Sequence, residues 1–506
     1  MNRRTRRACA AGLLAAGLLV SGCSGGAVNH DTAAGSKARR PGGAPGAPAA
    51  PGAPDAVRGD SAAEGEQRAP APDYLSTFAL DVDTASYGYA RRTLAEGRLP
   101  APDTVRPEEF VNSFRPDYPR PEGDGFSVTV DGARTTAEGW SLVRVGLATR
   151  AADRRGPRPP AALTFVVDIS GSMAETGRLD LVKESLGVLA GQLRDDDSIA
   201  LVTFSDEAET RLPMTRVGGA RDRIREVVAG LETTSSTNVE AGVRTGYDVA
   251  VEGRRKGATN RVVLLSDALA NTGDTDADSI LRRIDESRRS YGITLFGVGV
   301  GSDYGDAFME RLADKGDGHT TYVSDSAQAR KVFVDQLPAH VELRARDAKA
   351  QVAFDPRTVE KFRLIGYENR EVADEDFRDD RVDGGEVGAG HTVTALYAVK
   401  VRPGRSGRLA TATVRWLDPR TREPHERTGA ADTGALAASV WGGGHDSLQL
   451  TAIAAYFADR LRGGELPGAP GYAELAAKAG ALAERAESRS VRELAEAIRQ
   501  ADRLGH

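Results

Sequence analysis

Two cysteines, Cys9 and Cys23, are all that 506 residues contain, and both lie near the amino terminus. A chain processed at Cys23 keeps one thiol, so no internal disulfide can staple the folded part. Long apolar runs are also missing. The one early stretch, 8–20 (ACAAGLLAAGLLV), falls short of the roughly 20 residues that a membrane-spanning helix needs. Beyond four arginines in the first seven residues there is no strongly basic segment, which leaves nucleic-acid binding without its electrostatic footprint. The G-x-S-x-G string Gly22-Cys23-Ser24-Gly25-Gly26 lies where the leader meets the Gly-rich stretch, with no strand-turn-helix pattern around it, and no Gly-Lys phosphate loop occurs, so the sequence signals for a serine hydrolase and for a P-loop nucleotide site are absent. No short-period internal repeat is present either.

What is there begins with an address. A basic stretch (NRRTRR), the apolar run and then Val20-Ser21-Gly22-Cys23 have the order of a secretory signal peptide over 1–22. The last four residues resemble a bacterial lipobox, in which the cysteine is acylated; an ordinary signal peptide with an incidental cysteine is the alternative reading. Two or three acyl chains on Cys23 would give a stable anchor where a single one is marginal. The expected location is therefore the extracytoplasmic face of the cell membrane. Loss of the leader takes the formal charge from −6 to about −10. Residues 23–72, rich in Gly, Ala and Pro, cannot bury enough surface to offset their ordering entropy and read as a lipid-anchored flexible tether.

The remaining length allows two or three domains. Residues 73–157 suggest a small α+β segment, with strands near 76–83, 126–131 and 140–148 and a helix over 84–98. At 158 the pattern changes. Continuous apolar runs at 162–167, 198–204, 261–265 and 292–299 have the character of strands buried on both faces. Between them lie helical patterns at 178–193, 220–231, 238–251 and 277–290, followed by a helix at 305–314, a short strand at 319–323 and a helix at 326–336. This alternation predicts an α/β fold over 158–340, a doubly wound and mostly parallel sheet. From 341 to 506 the chain becomes β-rich (349–354, 361–367, 391–402, 408–417) and then helical (446–462, 472–503).

In a doubly wound sheet, ligands sit beyond the carboxyl ends of the strands. Asp168-Ile169-Ser170-Gly171-Ser172 leaves the first buried strand at that end, placing a carboxylate and two hydroxyls at alternate positions. Oxygen donors of this kind suit a hard divalent cation. A D-x-S-x-S string alone is weak, because Ser and Asp serve equally well as helix N-caps. Two further loops strengthen it: Thr237 stands just before the 238–251 helix, and Asp267 just past the third buried strand. Three loops at one sheet edge would then deliver Asp168, Ser170, Ser172, Thr237 and Asp267 to one point.

These segments resemble a known family. Phe165-Val166-Val167-Asp168-Ile169-Ser170-Gly171-Ser172-Met173 is similar to the first motif of von Willebrand factor A domains, which carry a metal-ion-dependent adhesion site. The resemblance implies a Rossmann-like fold, one bound Mg²⁺ (or Mn²⁺ or Ca²⁺) on the five residues just named, and a protein partner supplying an acidic residue. Ala268 departs from the glycine that commonly follows the last aspartate, without removing a ligand. The block Ser76–Tyr87 with Gly97-Arg98-Leu99-Pro100, and the blocks 364–370 (LIGYENR), 373–377 (ADEDF) and 388–397 (GAGHTVTALY), resemble the flanking regions of YfbK-like von Willebrand A lipoproteins. The expectation is a non-enzymatic surface lipoprotein that captures a protein through its metal, or else a metal-independent envelope scaffold.

Other strings carry less. Asp274, Asp276, Asp278 and Asp285 are spaced like a calcium loop, but Ser279 replaces the glycine its turn needs. His425-Glu426 begins like a zinc-protease helix, yet Gly429 stands where the second histidine belongs. The acidic stretch 374–386 reads as a solvated loop.

Overall fold

The computed structural model describes residues 74–80, 84–151, 158–267, 277–301, 319–323, 325–330, 342–382, 384–442 and 445–505, with single positions between 312 and 337. The signal peptide, Cys23, the tether, Ala268, Asp274, Asp276 and all but one residue of the expected 305–314 helix lie outside the described residues.

The amino-terminal flank supplies β1 (Leu75–Ala79), α1 (Ala85–Ala95), α2 (Pro107–Asn112), β2 (Phe126–Arg134) and β3 (Trp140–Thr149). The middle supplies β4 (Ala161–Asp168), α3 (Leu179–Gln192), β5 (Ser198–Phe204), β6 (Ala208–Arg216), α4 (Arg221–Ala229), α5 (Val239–Glu252) and β7 (Thr259–Ser266). It continues with α6 (Ala277–Tyr291), β8 (Ile293–Val300), β9 (His319–Val323) and α7 (Ser326–Arg330). The carboxy-terminal flank supplies β10 (Leu343–Phe354), β11 (Val359–Leu364), β12 (Gly385–Gly388), β13 (Thr392–Val401), β14 (Arg408–Leu417), β15 (Pro424–Asp432) and β16 (Leu436–Ala437). Three helices close the chain: α8 (Asp446–Leu461), α9 (Tyr472–Arg485) and α10 (Arg489–Leu504).

The middle is the doubly wound sheet that the apolar runs predict, in the order β6-β5-β4-β7-β8-β9. Every pairing is parallel except β5 with β6, an antiparallel edge strand that sequence patterning missed because most of its residues are exposed or half-buried. β4, β5, β7 and β8 are buried along their whole length, as a sheet covered by helices on both faces requires. Alternate β4 residues divide between the two cores. Phe165 and Val167 pack under α3 and α4, and Val166 packs under α5 and α6. Helix α5 lies so close that a Cβ on Gly246 would sit 2.3 Å from Val166 Cγ2, and one on Gly242 2.6 Å from the Phe204 ring. Strand order reverses at β4: the chain moves outward through β5 and β6, then returns to β7 on the other side. The carboxyl ends of β4 and β7 therefore flank the topological switch point.

Residues 73–157 and 341–506, read from sequence as two accessory domains, share their sheets. One sheet runs β1-β10-β14-β15, with β12 also on β10; the other runs β11-β13-β3-β2-β16. Phe78 pairs with Ala350, and Val145 with Ala395, across gaps of well over 200 residues. The α/β domain is thus inserted between β3 and β10 of one sandwich. Its core lies between the sheets (Phe78, Phe126, Val145, Val352, Tyr397). The outer face of the second sheet, carrying Leu142, Leu396 and Ala398, is covered by α1, α2 and α8–α10. The helical stretch expected over 472–503 consists of two helices, divided where Glu487 adopts φ 48° and Ser488 caps α10 through Val491 N. The His425-Glu426 string lies on strand β15, which removes the helix that a zinc-protease motif needs. Among the described residues no helix is long and apolar enough to cross a membrane.

Candidate metal centre at the switch point

Asp168 ends β4 and is wholly buried. One of its carboxylate oxygens accepts from the backbone N–H of Ser170 at 2.8 Å, which turns the chain sharply off the strand. The other accepts from Ser266 Oγ at 2.5 Å, at the end of the neighbouring β7. Burial raises the Asp168 pKa, and the nearby Asp267 charge adds to the rise; the bonds from Ser266 and Ser170 oppose it. From here a chain of oxygens leads outward. Ser170 Oγ lies 3.1 Å from Ser172 Oγ, and Ser172 Oγ donates to Asp267 Oδ1 at 2.9 Å. Ser170 and Asp267 are buried, whereas Ser172 is exposed, so the group opens to solvent on one side.

The loops are fastened to one another by backbone bonds. Ile169 N donates to Phe204 O (3.0 Å) and accepts at its carbonyl from Thr234 N (2.7 Å). Asn238, whose side chain caps α5 through Ala241 N at 3.0 Å, donates its own N–H to Ser205 O at 2.7 Å. Thr237, half-buried, sits between these two anchors. Asp168, Ser170, Ser172 and Asp267 are therefore in one hydrogen-bonded chain, and Thr237 stands on the adjoining loop.

Two participants escaped sequence reading. Ser266 lies just beyond the apolar run 261–265 and belongs to no motif of its own. Arg178 does carry a usable signal, because a cation at the first turn of a helix has the wrong sign for the helix dipole. Its side chain is buried, and Nη1 donates to Asp267 Oδ2 at 2.5 Å and to Ser172 O at 3.0 Å.

The donor set fits a hard cation. Octahedral Mg²⁺ holds oxygens at about 2.1 Å, so neighbouring ligands lie about 3.0 Å apart. The 3.1 Å between the two serine hydroxyls matches that spacing. Among the described residues no cluster of three or more His, Cys, Asp or Glu forms a metal site, so an ion here depends on these hydroxyls together with the aspartates.

A family model described as von Willebrand factor type A domain matches residues 162–335. Another, described as Uncharacterized protein YfbK, C-terminal, matches 341–407, and a third, described as von Willebrand factor, matches 59–143. The Uncharacterized protein YfbK of Escherichia coli (strain K12) is 35% identical over 420 residues, spanning 78% of this chain and 72% of its own length. The chain belongs to the YfbK family.

More distant relatives match less of it. Uncharacterized protein sll0103 of Synechocystis is 26% identical over 38% of this chain and 44% of its own. Inter-alpha-trypsin inhibitor heavy chain H3 of Homo sapiens is 24% identical over 40% of this chain and 24% of its own. Among solved structures, von Willebrand factor type A from Catenulispora acidiphila is similar at 16% identity and a TM-score of 0.47, covering 75% of this chain and 91% of that one. These matches indicate no enzymatic family. The YfbK blocks turn out to be packing elements. Phe78 from the first block meets Tyr367 from the second with ring centroids 4.8 Å apart. Thr77 Oγ1 donates to Asp374 Oδ1, and Tyr367 OH donates to Thr394 O at 2.9 Å, which ties in the third and fourth blocks. In this chain those blocks form the joint between the two flanks.

Proposed function

We propose that this protein is a lipid-anchored surface receptor that captures a protein partner through one divalent ion held by Asp168, Ser170, Ser172, Thr237 and Asp267. The supporting observation is the chain of oxygens from Asp168 to Asp267 at the switch point, open to solvent at Ser172. Mg²⁺, or Mn²⁺ or Ca²⁺ in its place, would supply a Lewis-acidic position that neutral hydroxyls leave hungry for charge. An Asp or Glu of the partner is the complementary group. The buried Asp168 and Ser170 hold the inner side of the site, and the exposed Ser172 faces the partner. The role is binding rather than catalysis, because the site is open and the chemistry of hydrolysis needs an activated water beside a general base in a closed pocket.

Cys23, after a signal peptide, is the proposed acylation site, and it places the protein on the extracytoplasmic face of the cell membrane. Cys23→Ala should abolish incorporation of labelled fatty acid and release the protein from the membrane fraction; unchanged labelling refutes the anchor. For the binding reading, crosslinking on intact cells is the test. Partner capture should disappear with EDTA and with Asp168→Ala, and capture indifferent to both refutes the metal mechanism.

One observation favours a second reading, a metal-independent scaffold of the envelope: Asp267 already has a cationic partner in Arg178. That reading expects crosslinks that survive chelation.

A further inference from the structure

Arg178 is the first residue outside the proposed ligand set whose charge bears on it. Its guanidinium spans the site's rim, with Nη1 on Asp267 Oδ2 at 2.5 Å and on Ser172 O at 3.0 Å, and Nη2 on Glu175 at 2.8 Å. Glu175 is largely exposed, whereas Asp267 is buried, so the Asp267 contact is the one with little water to screen it. The side chain is also held from behind. Gly301, at φ +90°, passes so close that a Cβ there would lie 2.8 Å from Arg178 Nε and 3.2 Å from its Cγ and Cδ. Gly301 is itself fixed at both ends: its N–H donates to Val323 O at 3.1 Å, and its carbonyl accepts from Arg92 Nη1 at 2.9 Å. Arg92 belongs to α1, a helix of the sandwich and not of the α/β domain. A line of direct contacts thus runs from the flanking domain through Gly301 and Arg178 to Asp267.

We infer that Arg178 is a resident counter-cation that holds the site's affinity for a divalent ion down, and that α1 keeps it in place through Gly301. The inference rests on the reading that this site takes a divalent ion. Two carboxylates alone would offer such an ion a doubly negative pocket. With Arg178 pinned to Asp267, part of that charge is already neutralised, and the ion's remaining positive charge is left for an acidic group from outside. Bare ion is then bound weakly, and ion together with a partner carboxylate is bound well. A shift of α1 would release the clamp and raise ion affinity, which links the flanking domain to capture.

The alternative role for Arg178 is orientation alone, holding Asp267 in a useful rotamer. The two make opposite predictions. Mn²⁺ binding to the purified full chain, followed by the loss of the free-ion electron paramagnetic resonance signal, distinguishes them. Arg178→Gln should bind Mn²⁺ about tenfold tighter than the unaltered protein or more, a change of about 1.4 kcal/mol. Arg178→Lys, which keeps the charge, should stay near the unaltered value, and metal-free Arg178→Gln should melt at a lower temperature. Equal or weaker Mn²⁺ binding by Arg178→Gln, when the unaltered chain binds, overturns the inference and leaves the metal reading standing. No Mn²⁺ binding by any of the three overturns both. If Arg178→Gln fails to fold, Arg92→Gln takes its place: a few-fold tightening supports the clamp, and an unchanged affinity overturns it.

Discussion

Arg261 Nη2 donates to Glu386 Oε2 at 2.6 Å across the boundary between the α/β sheet and the sandwich, and both side chains are buried. Arg261 lies on β7, the strand whose end carries Ser266 and Asp267, and Glu386 lies on β12. Arg346 stands 3.6 Å from the same carboxylate. The inserted domain is therefore locked to its host by a charge pair removed from water, on the strand that delivers one side of the proposed site.

Breaking one partner of such a pair strands the other. Glu386→Ala should cost about 3–5 kcal/mol, because the buried guanidinium loses its counter-charge. The double variant Arg261→Met with Glu386→Leu should recover most of that loss. Urea denaturation of the two variants checks the prediction, and equal losses would mean that the pair is not what the boundary depends on.

Ligand that binds only the native state raises stability by mass action. Mn²⁺ at a hundred times its dissociation constant should add about 2.7 kcal/mol to unfolding of the α/β domain. Ser170→Ala should leave the metal-free melting temperature nearly unchanged and remove the Mn²⁺-dependent rise. Thermal melts with and without the ion show both effects.

Helix α5 follows directly from Thr237, so its distance from the sheet sets the height of that residue. Gly246→Ala introduces a methyl where Val166 Cγ2 already lies 2.3 Å away, which should lift the helix and cost about 1–3 kcal/mol. Gly480→Ala, on α9 with nothing near its Cβ, should be neutral or stabilising. Denaturation midpoints of the two variants provide the comparison.

Glu108, at the start of α2, is buried, and desolvation raises its pKa above the ordinary 4.5. The folded state thus holds this proton to a higher pH than the unfolded chain does. Stability from this group is greatest below about the unfolded value and falls as pH rises through the folded one. Glu108→Gln should be more stable than the unaltered protein at neutral pH and should lack that part of the pH slope. Melting temperatures across pH 4 to about 8 test the sign.

Much of the inserted domain was legible because a parallel sheet covered on both faces writes itself as unbroken apolar runs. The runs through Val166, Val202, Leu264 and Phe296 needed no distant information. The placement of Asp168 and Asp267 followed from the same reading, since both sit directly past such runs. The flanks were not legible in this way. Pairing of Phe78 with Ala350 leaves no local mark, so two stretches that belong to one sandwich read as separate domains. Strand β15 went unseen because its residues are mostly exposed and do not alternate. The 472–503 stretch reads as helical from its Ala, Glu, Leu and Arg content. Its break depends on a single left-handed residue, Glu487, which composition does not announce. The Arg178 contact with Asp267 joins residues 89 apart and leaves no mark in the local sequence of either.

Calorimetric titration of the purified full chain with Mg²⁺ tests the central claim most directly. The account predicts saturable heat corresponding to one ion per chain, lost in Asp168→Ala and retained in Gly480→Ala. Absence of heat at millimolar ion, or the same heat in Asp168→Ala, would contradict it.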